Sequence, residues 1–120
     1  MGTLIKERRA ARASPPLPEV EVVRLEPGDD PGSLANRLDS VARIEVHFPT
    51  FGDGRGYSIA RLLRSRYGYR GELRAVGHIT RDQLVFLERV GFDAFELRAG
   101  EDATEALVAF ETFSAAYQKP

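Results

Sequence analysis

The sequence predicts an α/β domain of four consecutive βα units, with a parallel sheet in 1-2-3-4 order and helices mainly on one face, like half of a barrel. Three observations carry this expectation. Short β-branched and apolar runs alternate four times with stretches whose apolar residues recur at three- and four-residue spacing. The connections are only a few residues long, as crossovers between adjacent parallel strands require. Within the strands polar residues alternate with apolar ones, so one sheet face is predicted to be polar: Glu45 and His47, Glu72 and Arg74, then Glu96.

Residues 1–18 read as a mobile basic and Pro-rich tail, with Lys6, Arg8, Arg9 and Arg12 ahead of Ser14-Pro15-Pro16-Leu17-Pro18. A single α/β domain is expected over 19–117. Val20 to Leu25 is the first strand; Pro27 to Gly32 breaks the chain, and Ser33 is placed to cap a short helix through Leu34 and Leu38. Val41 to Phe48 is the second strand. After a loop with three glycines, Ile59, Leu62, Leu63 and Tyr67 mark a helix that ends near Gly68. Glu72 to Val76 is the third strand. Thr80 and Gln83 form a capping-box pattern for a helix carrying Leu84, Leu87 and Val90, stopped by Gly91. Phe92 to Leu97 is the fourth strand, and Ala103, Ala106, Leu107, Phe110 and Phe113 give the last helix its apolar stripe.

At 120 residues and 42% hydrophobic, the chain can bury a core without a disulfide or metal. Having no cysteine, it excludes a thiolate nucleophile, a redox pair, a Cys-ligated zinc site and a cysteine-held iron–sulfur cluster. No intrinsic cofactor and no metal are expected, since two histidines come without metal-site spacing. A net charge of -1 argues against a nucleic-acid partner. With neither a membrane span nor an apolar signal segment, cytoplasmic residence is the expectation.

Parallel α/β architectures collect ligands beyond the C-terminal strand ends. There the sequence places Gly54, Arg55 and Gly56 with Arg81 and Arg98, a candidate site for sulfate, sulfite or phosphate. Asp53, His78 and Asp82 are the candidates for proton transfer. The competing reading makes the glycines plain turn formers, because Gly52 to Gly56 matches neither a Walker loop nor a dinucleotide fingerprint. An uncovered polar face formed by Glu45, His47, Glu72, Arg74 and Glu96 is expected to be covered by a second copy in a homodimer, by the N-terminal segment or by another protein. Charge is also segregated: residues 55–74 hold six arginines against Glu72, and residues 93–112 hold six acids against Arg98, a pattern that steers a partner or simply solvates helices.

The segments Phe51-Gly52-Asp53-Gly54-Arg55-Gly56-Tyr57-Ser58, Gly71-Glu72-Leu73-Arg74-Ala75-Val76-Gly77, Asp82-Gln83-Leu84 and Gly91-Phe92-Asp93-Ala94-Phe95 resemble a bacterial family known as domain of unknown function 934. The resemblance spans about residues 41 to 98. Members are often labelled oxidoreductases of sulfite reduction, which implies sulfite reductase or another sulfate-assimilation protein as partner and a place in cysteine biosynthesis. Relatives often carry cysteine before the segment matching Gly91 to Phe95, where this chain has Val90, so a thiol there is not essential. Two function classes follow. The first is a non-catalytic accessory or small-anion-binding protein of sulfite reduction. The second is an enzyme acting on a sulfur oxyanion or phosphorylated substrate with a borrowed cofactor.

Overall fold

The alternation of Ile44, Val46 and Phe48 with Arg43, Glu45 and His47 places the two sets on opposite faces of one strand, and the fold is organised around that division. The computed structural model describes residues 4–6, 9–11, 21–50, 54–97 and 105–108. Its strands are β1 (Leu4–Lys6), β2 (Arg9–Ala11), β3 (Glu21–Leu25), β4 (Val41–Phe48), β5 (Glu72–Gly77) and β6 (Ala94–Glu96). Helix α1 spans Arg55–Arg61 and continues as a π-helix over Leu62–Arg66, while α2 spans Leu84–Arg89. Residues 105–108 are helical, and the rest of the expected last helix, with Ala103, Phe110 and Phe113, lies outside the described residues.

The sheet order is β2-β1-β6-β5-β4-β3. From β3 to β6 the strands are parallel and sequential, as four βα units dictate. The expectation of an all-parallel sheet is corrected at its other edge. Beyond β6 lies β1, antiparallel to it, and then β2, also antiparallel, so the sheet is mixed. Both added strands come from the segment read as a tail. Leu4 and Ile5 are buried, an apolar pair that lets so short a strand hold an edge that β6 would otherwise expose.

One core cluster unites Ile5, Ile44, Val46, Phe48, Leu73, Ala75 and Phe95 from the strands with Ile59, Leu63, Leu84, Leu87 and Ala106 from the helices. The helices therefore pack on one sheet face. Phe48 anchors this layer, edge-on to Tyr57 at 5.6 Å and tilted against Phe92 at 5.8 Å. A register irregularity opposite Glu21 and Val22 leaves Ala42 without a partner on β3. The extra residue turns Val41 into the core while Arg43 keeps its place on the other face.

The second face is polar, although less open than the sequence suggests. The register brings Arg24, Glu45 and Arg74 into one cross-strand row and Val22, Arg43 and Glu72 into another. Towards β6 and β1, however, Leu4, Val76 and Ala94 are buried and Arg74 is only 6% exposed.

Local chemistry differs from expectation at two helix starts. Asp30, not Ser33, caps the turn over Pro31–Leu34: its carboxylate accepts from the Gly32 amide at 2.9 Å, and Pro31 opens the helix. The segment through Leu38–Ser40 is two short 3-10 turns instead of one α-helix. At Thr80 half of the capping box forms. The Gln83 Oε1 accepts from the Thr80 amide at 2.9 Å, but the Thr80 hydroxyl points to the same Oε1 at 3.2 Å instead of to a helix amide. Among the described residues no helix is long and apolar enough to cross a membrane.

Glu72 receives Arg74 Nε and Arg74 Nη2, each at 2.7 Å, with both side chains nearly buried. Removing one partner of such a pair strands the other charge, whereas an exposed pair contributes little. Glu72→Ala is expected to cost on the order of 3 kcal/mol in urea denaturation. Arg24→Ala, breaking the exposed Arg24–Glu26 pair, is expected to stay within about 0.5 kcal/mol of wild type.

Candidate functional site

The parallel strands have two ends, and the structure furnishes them differently. At the C-terminal end β4 stops at Phe48 and β5 at Gly77, and the chain turns into α1 and α2. This edge gathers Gly54, Arg55, Gly56, His78 and Asp82. Gly54 precedes the helix with ordinary backbone angles and open space around it, whereas Gly56 is buried against Phe48, whose ring a Cβ would meet at 2.4 Å. Gly56 is thus required for close packing of α1 on β4, with no demand on its backbone conformation. Arg55 is exposed at the first helical position. His78 is half-buried, and its amide donates to the Phe48 carbonyl at 2.7 Å, extending the ladder by one bond. Asp82 is exposed in the 3-10 turn Arg81–Gln83. The side chain of Arg81 is not among those described, and Asp53 and Arg98 lie outside the described residues.

The polar face is a contact network in its own right. Arg43 Nη2 lies 3.1 Å from Glu45 Oε2, Arg43 Nε lies 4.0 Å from Glu72 Oε2, and Glu72 holds Arg74. Arg43 Nε is buried without a hydrogen bond. Such carboxylates are engaged by guanidinium groups and serve the sheet, not proton transfer. His47 pairs across to the end of β3, its Nδ1 2.6 Å from Glu26 Oε1, a partner that sequence alternation with Glu45 did not suggest. Glu96 sits half-buried opposite Leu4, beyond this network. Among the described residues no group of three or more His, Asp or Glu side chains could hold a metal ion.

At the opposite, N-terminal end of β4 and β5 lies a pocket of about 370 Å³. One wall is the 3-10 segment with Asn36, Leu38 and Asp39; the other is Tyr67 to Gly71, which links α1 to β5. Sequence reasoning missed these residues because it looked only to the other edge. The available signal was Gly68-Tyr69-Arg70-Gly71, aromatic and basic residues set between two glycines. The wall is held from behind. Tyr69 hydroxyl donates to the Val41 carbonyl at 3.0 Å, and Arg64 donates to the carbonyls of Tyr69 and Gly71 at 2.9 and 2.8 Å. Burial, partly offset by the Arg64 charge, pushes the Tyr69 phenol up to about 12.

Two outcomes follow from this geometry. Gly56→Ala must displace the Phe48 ring and is expected to destabilise by about 1–3 kcal/mol in chemical denaturation, while Gly54→Ala is neutral within about 0.5 kcal/mol. For Tyr69, the folded state holds the proton more tightly than the unfolded chain, which ionises near 10. Stability is therefore independent of this group below pH 10 and falls as the pH rises from 10 to about 12, by on the order of 2 kcal/mol. Denaturation of wild type against Tyr69→Phe across that range should show this part of the slope vanish in the variant.

Comparison with known proteins adds one result. No curated protein and no solved structure matches the chain. Residues 22–120, which include both edges of the parallel sheet and the polar face, match a family described as bacterial protein of unknown function, DUF934. The match extends past the segments Gly52 to Ser58 and Gly71 to Gly77 at both ends, and the chain belongs to that family.

Proposed function

We propose that this protein is a cytoplasmic, non-catalytic accessory protein of assimilatory sulfite reduction that docks onto an acidic surface of sulfite reductase or another sulfate-assimilation protein. The sulfur context comes from the family resemblance; the mode of action comes from how the charges are used. On the polar sheet face arginines and glutamates neutralise one another. Two arginines of α1 and its π-helical continuation are used differently. Arg61 and Arg66 are exposed and, among the described residues, form no ion pair; the Arg66 guanidinium lies over the Tyr67 ring, 5.9 Å from its centroid. Those two charges, with no carboxylate partner among the described residues, are the observation that carries the reading, because exposed charges that are not neutralised internally steer association with a surface of opposite sign.

The test is co-purification of the tagged full-length protein from cells grown on sulfate, scored for sulfite reductase subunits. Wild type should capture them, less so as salt rises, and Arg61→Glu/Arg66→Glu should lose at least tenfold while its thermal unfolding stays unchanged. Capture that ignores both the reversal and salt, or purified protein that turns over sulfite with an added cofactor, overturns the docking reading; the second result establishes the enzyme class instead.

A further inference from the structure

The N-terminal edge pocket carries an inference that does not rest on the docking reading. Its volume of about 370 Å³ lies at the small end of the range for metabolite sites. Two oppositely charged side chains line it, Asp39 from the 3-10 segment and Arg70 from the α1–β5 turn. Among the described residues their side chains bridge neither each other nor any other group, and the Asn36 amide beside them is likewise without a partner. The contrast with their neighbours is direct. Arg37, two residues before Asp39, pairs with Glu21, and Arg64, on the same helix-to-strand segment as Arg70, holds three carbonyls. Leu38 and Val41 are buried apolar residues of the same lining, and Tyr67 belongs to it as well.

We propose that this pocket binds a small zwitterion of the free α-amino-acid class, its ammonium group on Asp39, its carboxylate on Arg70 and a short side chain over Leu38 and Val41. A guanidinium binds a carboxylate through paired N–H donors, and Asn36 can donate or accept at either group. The two signs together set the specificity. A simple anion meets the repulsion of Asp39 and a simple amine that of Arg70, so only a ligand carrying both charges satisfies both walls. The turn that presents Arg70 is fixed in place by Tyr69 and Arg64, so little order remains to be imposed when the ligand arrives.

The experiment is backbone-amide NMR of the full chain titrated with glycine, L-alanine, L-serine and L-leucine, alongside acetate, methylamine and sulfate. At least one amino acid should give saturable shifts confined to residues 35–41 and 67–71, with acetate, methylamine and sulfate at least about tenfold weaker. Asp39→Asn and Arg70→Gln are surface replacements of similar shape and should each weaken binding by about tenfold or more with the remaining spectrum unchanged. Arg61→Glu, a change outside the pocket-lining residues, should bind the amino acid as wild type does, which separates this site from the docking surface. The proposal fails if none of the four amino acids gives saturable shifts in those segments, if acetate or sulfate binds as tightly as they do, or if binding survives both single substitutions.

Discussion

The Arg64 guanidinium is the tie on which the rest of the architecture depends. Its Nε donates to the Gly91 carbonyl at 2.9 Å and its Nη1 to those of Tyr69 and Gly71, so one side chain joins the end of α1, the entry to β5 and the turn after α2. Three carbonyls that end or connect elements have no ladder partner of their own, and leaving them bare in a half-buried place would cost about 1–3 kcal/mol each. Its Nη2 also lies 3.6 Å from Asp93, whose carboxylate accepts from the Leu73 amide at 2.8 Å while the Asp93 amide donates to the Leu73 carbonyl at 3.1 Å. The clamp thus extends into the β5–β6 pairing. It also explains Gly91, where a Cβ would meet Arg64 Cγ at 2.4 Å: the stop signal of α2 is equally a slot for the side chain that ties it down.

The second organising constraint is the division of the sheet into an apolar face and a charged one. A one-residue slip of β4 against β5 would push Arg43, Glu45 and His47 towards Phe92 and Leu63, a cost of several kcal/mol per desolvated charge. The ion-pair lattice therefore specifies register more than it adds stability, since partly buried pairs recover little beyond their own desolvation. Burial of Arg74, Leu4 and Val76 shows that the charged face grades into an apolar one towards β6 and β1. There the antiparallel hairpin occupies the edge on which a purely parallel sheet would have ended.

Legibility in the sequence followed the strength of periodic signals. Val41–Phe48 has the bounds its alternation predicts, and β5 and the stops at Gly68 and Gly91, with φ of 68° and 121°, sit where glycine after an apolar stripe places them. Three-residue strands carry no periodicity, so β1 and β2 were hidden inside a run dominated by Lys and Arg. The π-helix at Leu62–Arg66 was equally invisible, because nothing in Leu-Leu-Arg-Ser-Arg distinguishes it from α; the Tyr67 amide reaches back five residues to Leu62 because the turn beyond is already fixed by Tyr69 and Arg64. Arg64 is one of the six arginines of residues 55–74, and nothing local sets it apart from the others. Its role depends on three carbonyls distant in sequence, and no local pattern reports those. Of the sheet-face residues, Glu45, Glu72 and Arg74 meet in one ion-pair network through Arg43, whereas His47 turns to Glu26, a partner no local pattern reports.

In parallel α/β folds the βα edge carries chemistry because its loops are free to vary, whereas the opposite edge mostly carries stability. Here the αβ turn from Tyr67 to Gly71 carries stability and also lines the pocket. The interactions that stabilise it, Tyr69 to the Val41 carbonyl and Arg64 to two carbonyls of the turn, also fix the segment whose Arg70 lines the same pocket as Asp39. A trans peptide sets its N–H opposite its C=O, so fixing the Tyr69 carbonyl on Arg64 directs the Arg70 amide away from the clamp. A π-turn just before this segment shifts the phase of the chain relative to a straight α-helix, and over it Arg64 is part-buried while Arg61 and Arg66 are exposed. Backbone irregularity, clamp and pocket are then three consequences of one local arrangement at the end of α1.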